Sequence, residues 1–309
     1  MSGPPTRRLA LPIDAELRSA SPWVWVSLAL AALWIADSIL SPQQSLSSEL
    51  GSILFATPAL VAAALLFVAP RERMVRVSAF GFAFPVAFLL IRDALSPIDA
   101  VLNDNRDWAL LGQRLFEWTD AISSVTWVFG IVAVLALAFY LGPIRSRSGW
   151  LIVFGSAVLA VALATVYINN WLSLVDQIGG GLILAGSDQP SLLDLAFGIL
   201  SQLVIVGWGY LLAVTYERHM RLLALGALAR LVLSLVGLLS VTILFDLMQQ
   251  DTSGGLATLL SLTNDVVLIV YVLTFIGGVL TELPKHGRIP AADDRAGSAS
   301  SAEVFSAGR

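Results

Sequence analysis

Residues 192–217 read LLDLAFGILSQLVIVGWGYLLAVTYE, residues 218–221 read RHMR, and residues 222–247 read LLALGALARLVLSLVGLLSVTILFDL. Each long run is apolar enough to cross a hydrocarbon layer about 30 Å thick. The four residues between them carry Arg218, His219 and Arg221. Two such runs joined by a tight basic turn read as a membrane hairpin whose turn faces the cytosol.

The same pattern extends along the chain in both directions. Apolar runs at 22–40, 50–69, 75–95, 121–142, 149–172, 192–215, 222–247 and 258–282 predict eight spans. Composition agrees, since 57% of the 309 residues are hydrophobic and 13% charged, where a soluble domain carries about 25% charged. The expected fold is an all-α integral membrane protein, a bundle of about eight transmembrane helices with both termini cytosolic. The expected layout is an N-terminal segment 1–21, a membrane domain 22–283 and a disordered tail 284–309.

Charge supplies the orientation. Arg7, Arg8 and Arg18 precede the first span; Arg71, Arg73 and Arg76, then Arg145 and Arg147, then Arg218 and Arg221 occupy the even-numbered connections; Lys285, Arg288, Arg295 and Arg309 follow the last span. Only Arg92, Arg106 and Arg114 belong to the opposite face, and Arg230 alone lies within a span. The positive-inside rule therefore places both termini and the basic turns in the cytosol, in the inner membrane of a bacterium. A single Lys against 17 Arg fits a GC-rich genome. Membrane lipids are the expected partners, with a membrane protein partner or a second copy of the chain as further candidates; nucleic acid is excluded, because the basic residues follow topology.

Missing residue types close off chemistry. With no cysteine there is no disulfide, thiolate metal site or iron–sulfur cluster. His219 and His286, the only histidines, lie beside the basic clusters, so paired axial haem ligands inside the bundle are excluded. No metal and no cofactor is expected. Asn103, Asp104, Asn105 and Asp107 lack the spacing and glycine of a calcium loop, and capping explains them better. Gly179, Gly180 and Gly181 lack the lysine and strand–helix setting of a phosphate loop.

Between spans three and four, Trp108, Leu111, Leu115 and Trp118 recur at helical spacing and predict an interfacial helix at about 105–118. Pro58 and Pro85 fall inside spans two and three, where they should kink or open the helices. Basic turns followed by small residues, as in Arg76 with Gly81, Arg147 with Gly155 and Arg221 with Gly226, hint at a two-span repeat.

Polar residues inside spans carry the functional signal, because an Asp or Arg at mid-membrane costs about 2.5–3.5 kcal/mol. Asp37, Arg92, Asp93, Asn169, Asn170, Gln202 and Asp265 are the candidate lining of an outward-facing polar cavity. Spacing puts Gly155, Ala162, Thr165 and Asn169 on one stripe of span five, Gly198, Gln202 and Gly209 on one stripe of span six, and both stripes are expected to face the interior. Glu49, Asp120 and Asp194 read as helix N-caps, and Asp265 fits either role. Asp37 cannot cap, since its helix ends just after it. Arg230, with no acid at its depth, is a candidate for snorkelling to the inner interface or for contacting an anion or lipid headgroup. No nucleophile or paired-acid motif accompanies the acids, so catalysis is the weakest reading. Transport or permeation of a small solute is the leading expectation, ahead of a non-catalytic accessory subunit and of an enzyme acting on a lipid-linked substrate.

Overall fold

A computed structural model of the chain describes residues 21–40, 46–104, 111, 126, 128–179, 192–242 and 254–286. Every regular element among them is a helix: α1 Pro22–Leu40, α2 Leu46–Leu54, α3 Thr57–Val68, α4 Arg73–Asp104, α5 Val128–Leu141, α6 Arg147–Gly179, α7 Leu192–Glu217, α8 Arg221–Thr242, α9 Gly255–Thr281 and α10 Leu283–His286. Seven stretches among the described residues are long and apolar enough to cross a membrane, and the fourth expected span, 121–142, overlaps only the shorter apolar helix α5. Residues 121–125 lie outside the described part, as does the expected interfacial helix except Leu111, which is helical and exposed.

The bundle is apolar on both sides of its helices. Leu151, Phe154, Val161 and Leu273 point outward with more than two thirds of their surface open, while Leu65, Ile205, Leu211 and Phe275 are fully buried. In water the outward set would be prohibitive; against lipid it is the favourable arrangement.

Helix α9 packs along α8 and also against α3 and α2; α6 packs on α7, α7 on α8, and α1 and α4 on α3. The α8–α9 contact is the most extensive among the described helices. A Cβ added at Gly278 would lie 2.7 Å from the backbone nitrogen of Leu223, and one at Gly226 would lie 2.6 Å from Phe275 Cβ. Glycine on each helix lets two backbones touch where lipid offers no hydrophobic drive for association. Above this contact Phe82 of α4, Trp208 of α7 and Tyr271 and Phe275 of α9 form a ring cluster with centroid separations of 5.4–6.4 Å.

The two prolines behave differently. Helix α4 runs continuously through Pro85 to Asp104, so the stretch 96–104, expected as loop, continues the helix. Span two is broken: α2 ends at Leu54, and α3 restarts at Thr57 with Pro58 in its first turn. Proline suits a first turn because its missing N–H has no intrahelical partner there. The tail likewise begins as helix, since residues 284–286 belong to α10.

The interior stripe expected on span five is reversed. Gly155, Ala162 and Thr165 are exposed, and the buried face of α6 is Ser156, Ala160 and Leu163. Ser156 decides this, because its Cβ would lie 2.5 Å from a Cβ placed on Gly209 of α7. Thr165 needs no interior partner, since its hydroxyl donates to Val161 O at 2.9 Å within its own helix.

Candidate functional site

The break in span two lies among polar groups. Phe55 N donates to Gly51 O and Ser52 O at 3.2 and 3.1 Å, Ala56 N to Ile53 O at 3.1 Å, and the Thr57 hydroxyl to Leu54 O. These bonds fold residues 51–57 into a tight turn that satisfies the carbonyls released by the break. Helix α1 buttresses it: Trp34 Nε1 donates to Ser52 O at 2.6 Å, Ser52 Oγ donates to Ser38 Oγ at 2.9 Å, and Ser38 Oγ donates to Trp34 O at 2.9 Å. Trp34 and Ser38 are both buried.

Asp265 of α9 reaches this turn from the other side. It is 6% exposed, and its Oδ1 lies 3.3 Å from where a Cβ of Gly51 would stand. Its Oδ2 is buried and accepts no hydrogen bond among the described residues. Helix α9 starts at Gly255 after Gly254, whose φ is 68°, so Asp265 lies about 15 Å along the helix by its rise. The N-cap role is thereby removed.

Asp37, Arg92 and Asp93 come together at the same end of the bundle. Arg92 Nε lies 3.9 Å from Asp93 Oδ1, and Asp37 is within electrostatic reach of Asp93 across the α1–α4 contact. Arg92 and Asp93 remain substantially open, as an ion pair at the edge of the apolar layer should. Gln202 is 3% exposed on α7, and its Oε1 has no donor among the described residues. Counting six residues from Trp208 to Gln202 and six from Tyr271 to Asp265 sets Gln202 and Asp265 at one depth, on different helices. Asn169 and Asn170 belong to α6, and their side chains lie outside the described residues.

Arg230 is inside the bundle. Its guanidinium lies over the ring of the buried Tyr271, 5.6 Å from the centroid. A cation on an aromatic face gains roughly 1–2 kcal/mol when shielded from water.

The arginine-rich end is a separate polar region. Glu217, at the end of α7, accepts from Arg145 N at 2.6 Å and from Ser146 N and Oγ at 2.7 Å, while Ser146 Oγ accepts from Gly149 N at 3.0 Å. Glu282, just past α9, accepts from Leu222 N at 3.1 Å and Leu223 N at 3.2 Å. Each acid thus caps the start of the preceding helix in the chain, where a negative charge complements the dipole. The Arg218–Met220 turn closes α7 with His219 at φ 56° and Met220 N on Thr215 O at 3.0 Å. Arg218 Nη1 lies 3.3 Å from His286 Nδ1, and His286 meets Tyr140 edge-on at 5.4 Å.

Among the described residues no group of three or more His, Asp or Glu side chains is arranged to hold a metal. No family model matches the chain, and neither a curated protein nor a solved structure shows significant similarity to it.

Proposed function

We propose that the chain is a transporter of a small solute, with eight spans, both termini in the cytosol of a bacterial cell and a polar site opening outward around the break in span two. The observation that carries this reading is Asp265, a buried carboxylate deep in a span, packed on Gly51 of a discontinuous helix. At the interruption Phe55 faces out of the bundle while Ala56 is buried, and the backbone groups there are bonded within the turn. Discontinuous helices typically form the substrate and ion sites of secondary transporters, and an acid within a span marks a functional site by its cost. Asp37, Arg92 and Asp93 lie at the entrance of the passage, and the outer end is the one away from the arginine-rich turns.

The chain contains no cysteine, so single cysteines can be placed on a clean background. Asp37→Cys and Ser52→Cys should react with a membrane-impermeant maleimide added outside intact cells, and a cysteine at Gly149 should react only after permeabilisation. If Ser52→Cys reacts only with a membrane-permeant reagent, no aqueous path reaches the break and the transport reading fails.

A further inference from the structure

We infer that Asp265, set against Gly51 of the broken span, is the seat of a singly charged coupling cation, a proton or a sodium ion. This rests on the transport reading and names what drives it.

The geometry supplies three constraints. The first is an open valence: the carboxylate is 6% exposed and its Oδ2 receives no donor among the described residues, which leaves an oxygen free for a cation. Arginine cannot do it, because Arg230 is engaged at Tyr271, six residues further along α9, and Arg92 pairs with Asp93. The second is room. Gly51 is the residue facing Oδ1, and the 3.3 Å approach of a notional Cβ shows that alanine would already crowd the carboxylate. The third is setting: Gly51 lies in the last turn of α2, its carbonyl accepting from Phe55 N at 3.2 Å, so the carboxylate sits one helical turn from residues 55–56, where α2 gives way to α3.

The occupant is monovalent. One carboxylate offers one negative charge, which a singly charged cation balances, and among the described residues no group of three or more His, Asp or Glu side chains is arranged to hold a metal. Of the elements packed against α9, α4 and α7 meet it through the Phe82 and Trp208 rings and carry Arg73, Arg76, Arg92, Asp93, Asp99 and Asp104, and Asp194 and Glu217, respectively. Helix α3 carries none, α8 carries Arg221 and Arg230, α10 carries Lys285 and His286 at the far end, and α2 carries Glu49, whose side chain lies outside the described residues.

Dicyclohexylcarbodiimide tests this without knowledge of the solute, because it enters through lipid and couples to protonated carboxyls in apolar surroundings. The carboxyl proton passes to a carbodiimide nitrogen while the oxygen bonds the central carbon. The purified full-length protein should form an adduct on the peptide holding Asp265, and Asp265→Asn should not. If the cation is a proton, the rate should rise with acidity by up to about tenfold per pH unit. If it is sodium, replacing choline chloride with sodium chloride should slow the adduct severalfold. Gly51→Ala should slow it as well while leaving the melting temperature in place. No adduct at Asp265, or an adduct indifferent to both pH and sodium, overturns the inference. Because the carbodiimide needs no water path, its failure with Ser52→Cys still labelled from outside leaves an uncoupled passage, and the reverse pattern removes the passage alone.

Discussion

Glu217 and Glu282, at the arginine-rich end, place both carboxylate oxygens of each side chain on the backbone of a neighbouring helix start, whereas Asp265 turns its carboxylate to Gly51 and leaves Oδ2 without a donor among the described residues. The same kind of group does opposite work at the two places. At the arginine-rich end an acid completes a helix terminus and adds rigidity. At the break in span two an acid is left uncompensated, a cost tolerated at sites that bind or switch. The two regions also differ in backbone: α8 and α9 touch at Gly226 and Gly278, while span two is interrupted at residues 55–56.

The comparison can be broken most severely at the α8–α9 contact. Gly278→Leu would drive a side chain into Leu223 N, 2.7 Å from the new Cβ, and should cost about 3 kcal/mol or more, seen as loss of monodisperse protein on gel filtration. Next, Glu282→Ala strips the acceptor from Leu222 N and Leu223 N and should lower stability by about 1 kcal/mol, read as a fall in detergent melting temperature. Asp265→Asn should leave that temperature unchanged or raise it, since an unpaired charge has left the interior. A drop as large as that of Glu282→Ala would mean that Asp265 is structural and would erase the distinction between the two regions. A small loss is expected for Ser52→Ala, which removes one hydroxyl pair with Ser38 and should cost about 0.5 kcal/mol.

Spans were legible in the sequence because a hydrocarbon layer imposes a minimum length on every apolar run; Pro22–Leu40 and the start of α8 at Arg221 fall within a residue of the reading. Polar facing was less legible. The stripe through Gly155 and Thr165 looked interior because small and polar residues favour helix contacts, yet a threonine can return its hydroxyl to its own backbone and sit against lipid. Gln202 and Asp265, which cannot do so as readily, are buried as read. Pro58 follows an interruption and Pro85 does not, and at the first the Leu54 and Ser52 carbonyls take bonds from Thr57 and Trp34, partners that proline spacing alone does not reveal. The Trp34–Ser52–Ser38 bonds join segments 14–18 residues apart across an irregular turn, and no periodicity announces such a contact. Glu217 and Glu282 went unread for a related reason, since their partners are backbone N–H groups 59–72 residues away.

The clasp from Glu282 to Leu222 and Leu223 also sets a schedule for biosynthesis. A ribosome delivers α8 well before residue 282, so the first turn of that helix waits with its N–H groups facing headgroups or water until α9 has threaded back. Chains halted before Glu282 would hold both apolar segments and still lack the latch between them.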